Sequence, residues 1–262
     1  MLTVVTSGKA APGVTTSTWA LALTWPRPVL AADCDPAGGD MAPGLLAGRV
    51  STEHGLLSWS TSARRGIPAI AAATMFAQHV VEVPEHRDTW FLPGFTNATQ
   101  GFSFAEDTWE RLALALERAR SATGRDALVD AGRLVGDRGN WPVLRAADHV
   151  LLAVRPSVRS VHAAQDAMTK LRYELGDLQK VSALVIGSGP YPASEVAGSL
   201  QMSLGGSLPE DRAAAAMLSD GGSGSISRAM QRAPLFKAAS ELARRLMAAS
   251  EPAADYAAGA AR

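Results

Sequence analysis

Short apolar runs alternate with segments of helical periodicity along nearly the whole chain, and this alternation is the strongest constraint on the fold. The runs Leu2–Thr6, Val29–Asp33 and His149–Val154 are almost uninterrupted, as expected for strands that are covered on both faces. Further strands are predicted at Val80–Val83, Trp90–Leu92, Ala127–Asp130, Val181–Ile186 and Leu204–Leu208. Strands that alternate with helices predict an α/β fold, with a mainly parallel sheet of seven or eight strands and helices on both faces.

Helical periodicity fills the segments between these strands. Trp109–Ala122 has an apolar stripe that begins after Thr108, which we expect to be its N-cap. Other helices are predicted at Thr15–Trp25 and at about residues 53–61, 67–77, 157–175, 194–200, 210–218 and 225–249. Because no linker divides the chain, we predict one domain over residues 1–250 and a flexible, Ala-rich tail over residues 251–262.

The composition of the 262-residue chain excludes several classes of protein. Hydrophobic residues make up 47% and charged residues 19%, which is typical of a folded domain. Lys+Arg and Asp+Glu are both 25, so the net charge gives no general attraction to nucleic acid or anionic lipid. Cys34 is the single cysteine, and the five histidines have no metal-binding spacing. The sequence contains neither a basic leader nor an apolar run of about 20 residues, so we expect a cytoplasmic protein.

The loop after the first strand, residues 7–16, carries the most informative motif. Gly8 and Gly13 have the spacing of a phosphate-binding loop, and Thr15 occupies the position of the hydroxyl that binds magnesium. The loop lysine is missing, because position 14 is a valine. Backbone N–H groups at the start of the helix could still bind an anion. The alternative is a tight strand-to-helix turn without a ligand.

With its neighbouring motifs, this loop resembles that of the ParA/MinD family of P-loop ATPases, whose deviant Walker A loop reads GKGGVGKTT. Lys9, one of only four lysines, matches the earlier signature lysine, which in the family reaches the nucleotide of a dimer partner. Residues 33–36 resemble the family's D-x-D-P segment, which would make Asp35 the residue that polarises the attacking water. Asp130 ends a strand, as the family's metal-site aspartate does. The resemblance covers about residues 2–248.

The resemblance implies a P-loop NTPase-like domain that binds ATP and Mg²⁺. The segment Leu208–Asp211 is similar to the family's L-P-x-D loop near the base. The residues implied at the nucleotide are Gly8, Gly13, Val14, Thr15, Thr16, Pro209 and Asp211. Those implied at the metal are Thr15, Asp33 and Asp130, and those implied in catalysis are Lys9 and Asp35. Without the resemblance, Asp33 and Asp35 could form a plain turn, and Asp130 could cap a strand end.

Three departures from the family pattern predict an impaired ATPase. Val14 replaces the loop lysine, Ala10 and Ala11 replace glycines, and residues 187–188 replace an asparagine that reads adenine. Removing the central cation should cost several kcal/mol of charge stabilisation in phosphoryl transfer. Hydrolysis is therefore expected to be absent or very slow.

These observations favour a ParA/MinD-like homodimer that positions a partition complex, or a pilus or secretion apparatus, through an unidentified protein partner. One alternative is an active ATPase in which Lys9 replaces the missing loop lysine. Another is a partition module that binds DNA non-specifically through basic residues near the C-terminus, although such residues more often form a solvated face. The basic residues are Arg228, Arg232, Lys237, Arg244 and Arg245.

Overall fold

The computed structural model describes residues 1–9, 13–63, 66–134, 139–220 and 232–250, which form an eight-stranded sheet between two layers of helices. The predicted α/β class with a mainly parallel sheet is confirmed. The spatial order is β3-β4-β2-β5-β1-β6-β7-β8, and every neighbouring pair is parallel except β3 and β4. The strands are β1 (Leu2–Ser7), β2 (Val29–Asp33), β3 (Val81–Val83), β4 (His86–Leu92), β5 (Asp126–Arg133), β6 (His149–Val154), β7 (Val181–Ile186) and β8 (Ser203–Leu208).

The helices lie between the strands, as predicted, and several short ones add to the predicted set. They are α1 (Val14–Leu23), α2 (Met41–Gly44), α3 (Leu56–Ser62), α4 (Ala69–Met75), α5 (Ala98–Phe102), α6 (Glu106–Thr123), α7 (Trp141–Ala146), α8 (Val158–Leu175), α9 (Ala193–Ser199), α10 (Arg212–Ser219) and α11 (Pro234–Ser250). A 3₁₀ turn, Phe76–His79, follows α4. The predicted tail, residues 251–262, and the predicted helical residues 225–231 lie outside the described residues.

Two apolar clusters hold the helices against the sheet. Strand side chains alternate between them, so that Val4 faces one cluster and its neighbour Val5 faces the other. The first cluster takes in α3, α4 and α6 to α9, and the second takes in α1, α2, α10 and α11. Strands covered on both faces explain the unbroken apolar runs of the sequence.

The strand order brings the predicted motifs to one edge of the sheet. Central strand β1 pairs with β5 and β6, and β2 pairs with β5 on its other side. Parallel strands end at a common edge, where ligands of such sheets bind. The loop after β1, the acidic loop after β2 and the end of β5 therefore converge. In the part of the chain that the structure describes, no helix is long and apolar enough to cross a membrane.

Candidate functional site

Gly8 marks the point where β1 ends against α8. A Cβ on this residue would lie 2.6 Å from the Ala163 carbonyl oxygen, so no other residue fits without movement of the helix. Lys9 follows at an exposed position. Residues 10–12, which include the two alanines that replace glycines of the family loop, lie outside the described residues. Close packing against α8 thus accounts for Gly8 whether or not a phosphate binds.

Gly13 begins α1 in a conformation that favours glycine. Its φ of 73° and ψ of 35° are left-handed, and it is the N-cap residue. The Ser17 amide donates to the Gly13 carbonyl at 2.9 Å, so the first turn is regular. Among the residues that the structure describes, no side chain caps this end of α1, and its first turn contains no acidic residue. The first N–H groups and the helix dipole are therefore available to an anion.

Val14 lies in the core. It is 3% exposed and belongs to the same apolar cluster as Val5, Ile186 and Leu208. Valine fills this position with a stiff, uncharged side chain, where a phosphate-binding loop would place a mobile cation. The described part of the loop thus combines backbone donors with a buried hydrocarbon at position 14.

Thr15 and Asp130 come together, as the sequence predicts for a metal site. Thr15 and Thr16 are half-buried in the first turn of α1. The Thr15 hydroxyl is close enough to the Asp130 carboxyl to limit the rise in its pKa that burial causes. Asp130 Oδ2 is buried and has no hydrogen-bond partner among the described residues. Carboxylate and hydroxyl oxygens are suitable ligands for Mg²⁺, so these two residues fit such an ion.

Asp33 and Asp130 lie opposite each other on neighbouring strands, and both are at most 1% exposed. Asp130 Oδ1 accepts a 2.8 Å hydrogen bond from the Gly132 amide. The Asp33 oxygens accept longer bonds, both 3.4 Å, from the amides of Asp35 and Met41. The Asp33 carboxylate therefore makes its contacts with the backbone of the acidic loop.

Burial raises the pKa of both carboxyls. The pKa of Asp33 is well above its usual range because of burial and then because of the charge of Asp130. The pKa of Asp130 rises to about 6, again mainly through burial, while Thr15 and the Gly132 amide limit the rise. Two buried carboxyls without a cation keep protons more readily than free ones. A bound divalent cation would favour their ionised forms.

Glycines leave the space that these carboxylates occupy. A Cβ on Gly39 would lie 1.7 Å from Asp33 Oδ2, and one on Gly94 would lie 2.6 Å from the Asp33 carboxyl carbon. Gly132, with a φ of 60°, passes under Asp35 in the same way, at 2.1 Å from its carboxyl carbon. The sequence does not reveal these close approaches. Gly39 follows another glycine in the acidic loop, Gly94 follows a proline and Gly132 lies near a strand end, and such positions indicate a turn and not a close approach.

Asp35 is half-buried above Gly132. Its Oδ1 accepts a 2.8 Å hydrogen bond from the Ala37 amide. Burial raises its pKa, while the Ala37 amide and the charge of Arg133 lower it. Asp35 is therefore close to Asp130 but more accessible to water, as a residue that orients a water molecule must be.

Asn140 joins the acidic loop to β5. Its Nδ2 donates to the carbonyl oxygens of Cys34 at 2.8 Å and Ala131 at 3.0 Å, and the side chain is buried. These contacts fix the distance between the loop that carries Asp35 and the strand that carries Asp130. Nothing in the sequence near Asn140 indicates this role, because its partners are distant in the chain.

Pro209 and Asp211 lie at the far side of the same edge. Asp211 caps α10 by accepting a 3.0 Å hydrogen bond from the Ala214 amide. Pro209 lines a cavity of about 800 Å³, together with Ser188, Arg244 and Arg245. The structure therefore accounts for Asp211 as a helix cap, and it places Pro209 beside open space.

The predicted basic residues near the C-terminus form part of an exposed surface. Arg232, Lys237, Arg244 and Arg245 are exposed, whereas Arg228 lies outside the described residues. Glu241, which is also exposed, lies on α11 between Lys237 and the two later arginines. The surface is thus of mixed charge and not uniformly basic.

Comparison of this structure with solved structures identifies the fold. The chain is similar to the MinD cell division protein of Aquifex aeolicus, with a TM-score of 0.69 and 20% identity over 96% of this chain and 98% of that one. A ParA family ATPase from Chlorobium tepidum TLS gives a TM-score of 0.70 at 17% identity, over 93% and 98% of the two chains. The chain has the MinD/ParA fold.

A third structure with the MinD/ParA fold is the septum site-determining protein MinD of Pyrococcus horikoshii OT3, complexed with Mg-ADP. It has a TM-score of 0.68 and 16% identity, over 94% of this chain and 96% of that one. No protein-family model and no curated protein matches the sequence. The MinD/ParA fold is therefore recognised from structure, at identities too low to carry an activity with it.

Proposed function

We propose that this chain is a ParA/MinD-like positioning or scaffold protein with a degenerate nucleotide site. It acts as a homodimer in the cytoplasm and places a partition complex, or a pilus or secretion apparatus, through contacts with another protein. The MinD/ParA fold supports the general class. Because a fold hosts many functions, the proposal rests on the loop and on the acidic residues at the same edge of the sheet.

Val14 carries the argument for a degenerate site. A buried valine, 3% exposed, cannot compensate the charge of β- and γ-phosphates, although the backbone donors of α1 still favour an anion. Weak binding of a diphosphate or triphosphate is compatible with that arrangement. Fast phosphoryl transfer is not compatible with it, because that reaction needs preorganised positive charge at the transferred group.

The residues implied at the metal support binding of Mg²⁺ more strongly than the loop, which lacks its lysine, supports binding of phosphate. We assign Mg²⁺ to Thr15 and Asp130, since Asp130 has a buried oxygen that no described residue hydrogen-bonds. Bound Mg²⁺ would neutralise charge on the phosphate oxygens. Asp33 holds the acidic loop through its backbone contacts, and Asp35 is the residue that can orient a water molecule.

Nucleotide affinity and phosphate release test this proposal. The unmodified protein should bind Mg-ATP weakly and release no phosphate above background. Val14→Lys should raise ATP affinity at least tenfold if the loop is otherwise competent, because the long lysine stem can carry its ammonium out of the apolar cluster. Val14→Ile changes volume without charge and serves as the control. A nanomolar ATP complex of the unmodified protein, or steady hydrolysis that Asp35→Ala abolishes, would contradict a degenerate site.

The exposure of Lys9 favours a second candidate, an active ATPase. Lys9 lies at the start of the loop and is exposed, so its side chain can reach a phosphate or a second copy of the chain. In this candidate, Lys9→Gln abolishes steady phosphate release, whereas Arg87→Gln, at an exposed position at the start of β4 on the opposite edge of the sheet, leaves it unchanged. Absence of release in the unmodified protein rejects this candidate directly.

Non-specific DNA binding is the third candidate, and exposure of the basic residues on α11 favours it. Binding through phosphate contacts weakens steeply with salt. A gel shift with random duplex DNA at two salt concentrations should then show strong salt dependence, and Arg244→Glu with Arg245→Glu should abolish the shift. Because Glu241 interrupts this surface, we expect little binding at physiological salt.

A further inference from the structure

A cavity of about 720 Å³ lies at the opposite end of the sheet from the phosphate-binding loop. The cavity lies next to the first residues of β2 and β5. The end of α6, the β3–β4 hairpin and the 3₁₀ turn surround it. Its volume is within the range of about 300–1,000 Å³ that is typical of small-molecule sites. The sequence motifs and the proposed function make no use of this end of the molecule.

Hydrocarbon forms most of the inner surface of this cavity. The floor consists of buried residues from α4, α6 and the sheet, and half-buried side chains form the walls. The apolar lining includes Leu30, Phe76, Trp90, Leu116 and Ala119. Filling the cavity with an apolar group would remove this surface from water, which is favourable in proportion to the area covered.

One wall is a tryptophan with an arginine stacked on it. The Arg125 guanidinium carbon lies 3.5 Å from the centroid of the Trp90 ring. This arrangement holds the planar guanidinium in place at the opening of the cavity, with its donors in a fixed direction. Trp90 is half-buried, whereas the other five tryptophans are at most 8% exposed. Trp90 is therefore a specific optical reporter for this cavity.

The charges around the opening favour an anion. Of the three lining arginines, Arg120 pairs with Asp148, which leaves Arg118 and Arg125 without an ion pair among the described residues. The lining carboxylates are Glu82, which is exposed, and Asp126, which is neutralised by the N-terminal amine and Arg27. The cavity is therefore lined by two guanidinium groups and one carboxylate that have no ion-pair partner among the described residues, which gives a net positive charge.

We propose that this cavity binds a small amphipathic carboxylate, with the apolar body against Trp90 and Ala119 and the carboxylate at Arg118 and Arg125. A guanidinium presents paired N–H donors that match the two oxygens of a carboxylate. The site is independent of the phosphate-binding loop, so it does not depend on the function proposed above.

Three probes that each contain eight carbons and carry different head groups test this site on the full chain. Octanoate, 1-octanol and octylamine are titrated while calorimetry and tryptophan emission are recorded. Octanoate should bind at least tenfold more tightly than 1-octanol, and octylamine should bind weakest. Trp90→Phe should remove the emission change while calorimetric binding persists. Equal affinity for the three probes, or no heat from octanoate at up to about 10 mM, would overturn the proposal.

Substitutions at the opening locate the binding. Arg125→Gln and Arg118→Gln should each weaken octanoate binding severalfold, measured by calorimetry, and leave 1-octanol binding unchanged. Ala122→Glu adds a carboxylate at an exposed helix position, where folding is little affected, and should weaken octanoate binding tenfold or more. Arg244→Gln, on α11, is the matched control and should change nothing. Octanoate affinity that is the same in all these variants would place the bound molecule elsewhere and refute the assignment.

Discussion

Asp126 and Asp130, in one strand, show how position decides the behaviour of a carboxyl group. Asp130 lies at the carboxyl end of β5, where burial without a cation raises its pKa to about 6. Asp126 lies at the other end of β5, where the N-terminal amine, the Trp25 indole and Arg27 all donate to it and outweigh its burial, so its pKa is lowered. One carboxylate is thus costly to ionise and the other is stabilised.

Asp130→Asn should stabilise the protein at neutral pH in the absence of Mg²⁺. The raised pKa means that the unfolded chain releases this proton first, so ionisation of Asp130 lowers the free energy of unfolding as pH rises from about 4 to about 6. Asparagine keeps the oxygen that accepts from Gly132 and removes the charge. We expect a gain of about 1–3 kcal/mol at pH 8, measured by urea denaturation. A loss of stability would show that the carboxylate is already compensated.

Mg-ATP should raise the melting temperature of the unmodified protein slightly and leave that of Asp130→Asn unchanged. The reason is that a ligand stabilises only the state that binds it, and the variant lacks the proposed metal ligand. Equal shifts in the two proteins would reject the assignment of Mg²⁺ to Asp130.

Asp126→Asn should have the opposite effect on stability. Removing the carboxylate leaves a buried ammonium group without its counter-ion, which typically costs about 3–5 kcal/mol. Because the folded pKa of Asp126 is below its ordinary 3.8, its contribution is present at neutral pH and is lost as pH falls below that value. Acid denaturation curves of the two proteins should therefore converge at low pH. A variant as stable as the unmodified protein at pH 7 would contradict this.

The resemblance implied that Thr15 and Asp130 lie together, and the alternation of strands and helices agrees with this, because Thr15 follows a strand and Asp130 lies near the end of another, and parallel strands end at one edge. The sequence could not predict the close approach of Gly39 and Gly94 to Asp33, since those contacts depend on how the loops fold over the edge. Burial of Val14 was also not evident from the sequence. The first turn of a helix can face the core or a ligand, and only the packing of β7 and β8 decides which.

Packing between elements depends on single glycines, and Gly8 is the clearest case. Gly8→Ala would place a methyl group 2.6 Å from a backbone oxygen of α8, so β1 and α8 would have to separate. Overpacking of this kind costs about 1–3 kcal/mol, which for a chain of this size lowers the melting temperature by about 2–4 °C per kcal/mol.

Gly198→Ala is the matched control for Gly8→Ala. Gly198 lies in α9, and a Cβ there would meet no other atom within 4 Å. Alanine is favoured over glycine inside a helix, so this variant should melt at the same temperature or slightly higher. Equal melting temperatures for Gly8→Ala and the unmodified protein would show that α8 can move at little cost.

Periodicity predicted the long elements well and the short ones poorly. The helix predicted at Trp109–Ala122 is α6, but it begins at Glu106 after Ala105, so the expected cap at Thr108 is wrong. Glu106 and Asp107 extend the first turn, where acidic residues favour the helix dipole. The short helices α2, α5 and α7 contain too few residues to show an apolar stripe. Between β3 and β4 the chain turns at Glu85, with a φ of 64°, into a hairpin that alternation alone does not reveal.

The whole molecule should form a dimer that uses the surface around Lys9. We expect light scattering at tens of micromolar to give the mass of a dimer with and without Mg-ATP. Lys9→Glu should shift the equilibrium toward monomer, because a reversed charge at a two-fold interface is repeated in both copies. Arg87→Glu has the same charge change at the start of β4, on the opposite edge of the sheet, and should remain dimeric. A monomer under all these conditions would contradict the expected assembly.

The order of strands in the sheet also determines when the sheet can be completed during synthesis. Leu2 in β1 pairs with Ala127 in β5, and Thr3 pairs with His149 in β6, so β1 leaves the ribosome long before either of its partner strands is made. At about 5–20 residues per second, the ribosome takes roughly 6–25 s to make the chain between β1 and β5. Throughout that interval one of the most apolar segments of the nascent chain has no strand beside it. Because of the central position of β1, we expect chaperones that shield such segments to bind the nascent chain, and truncation before β5 should yield insoluble chains.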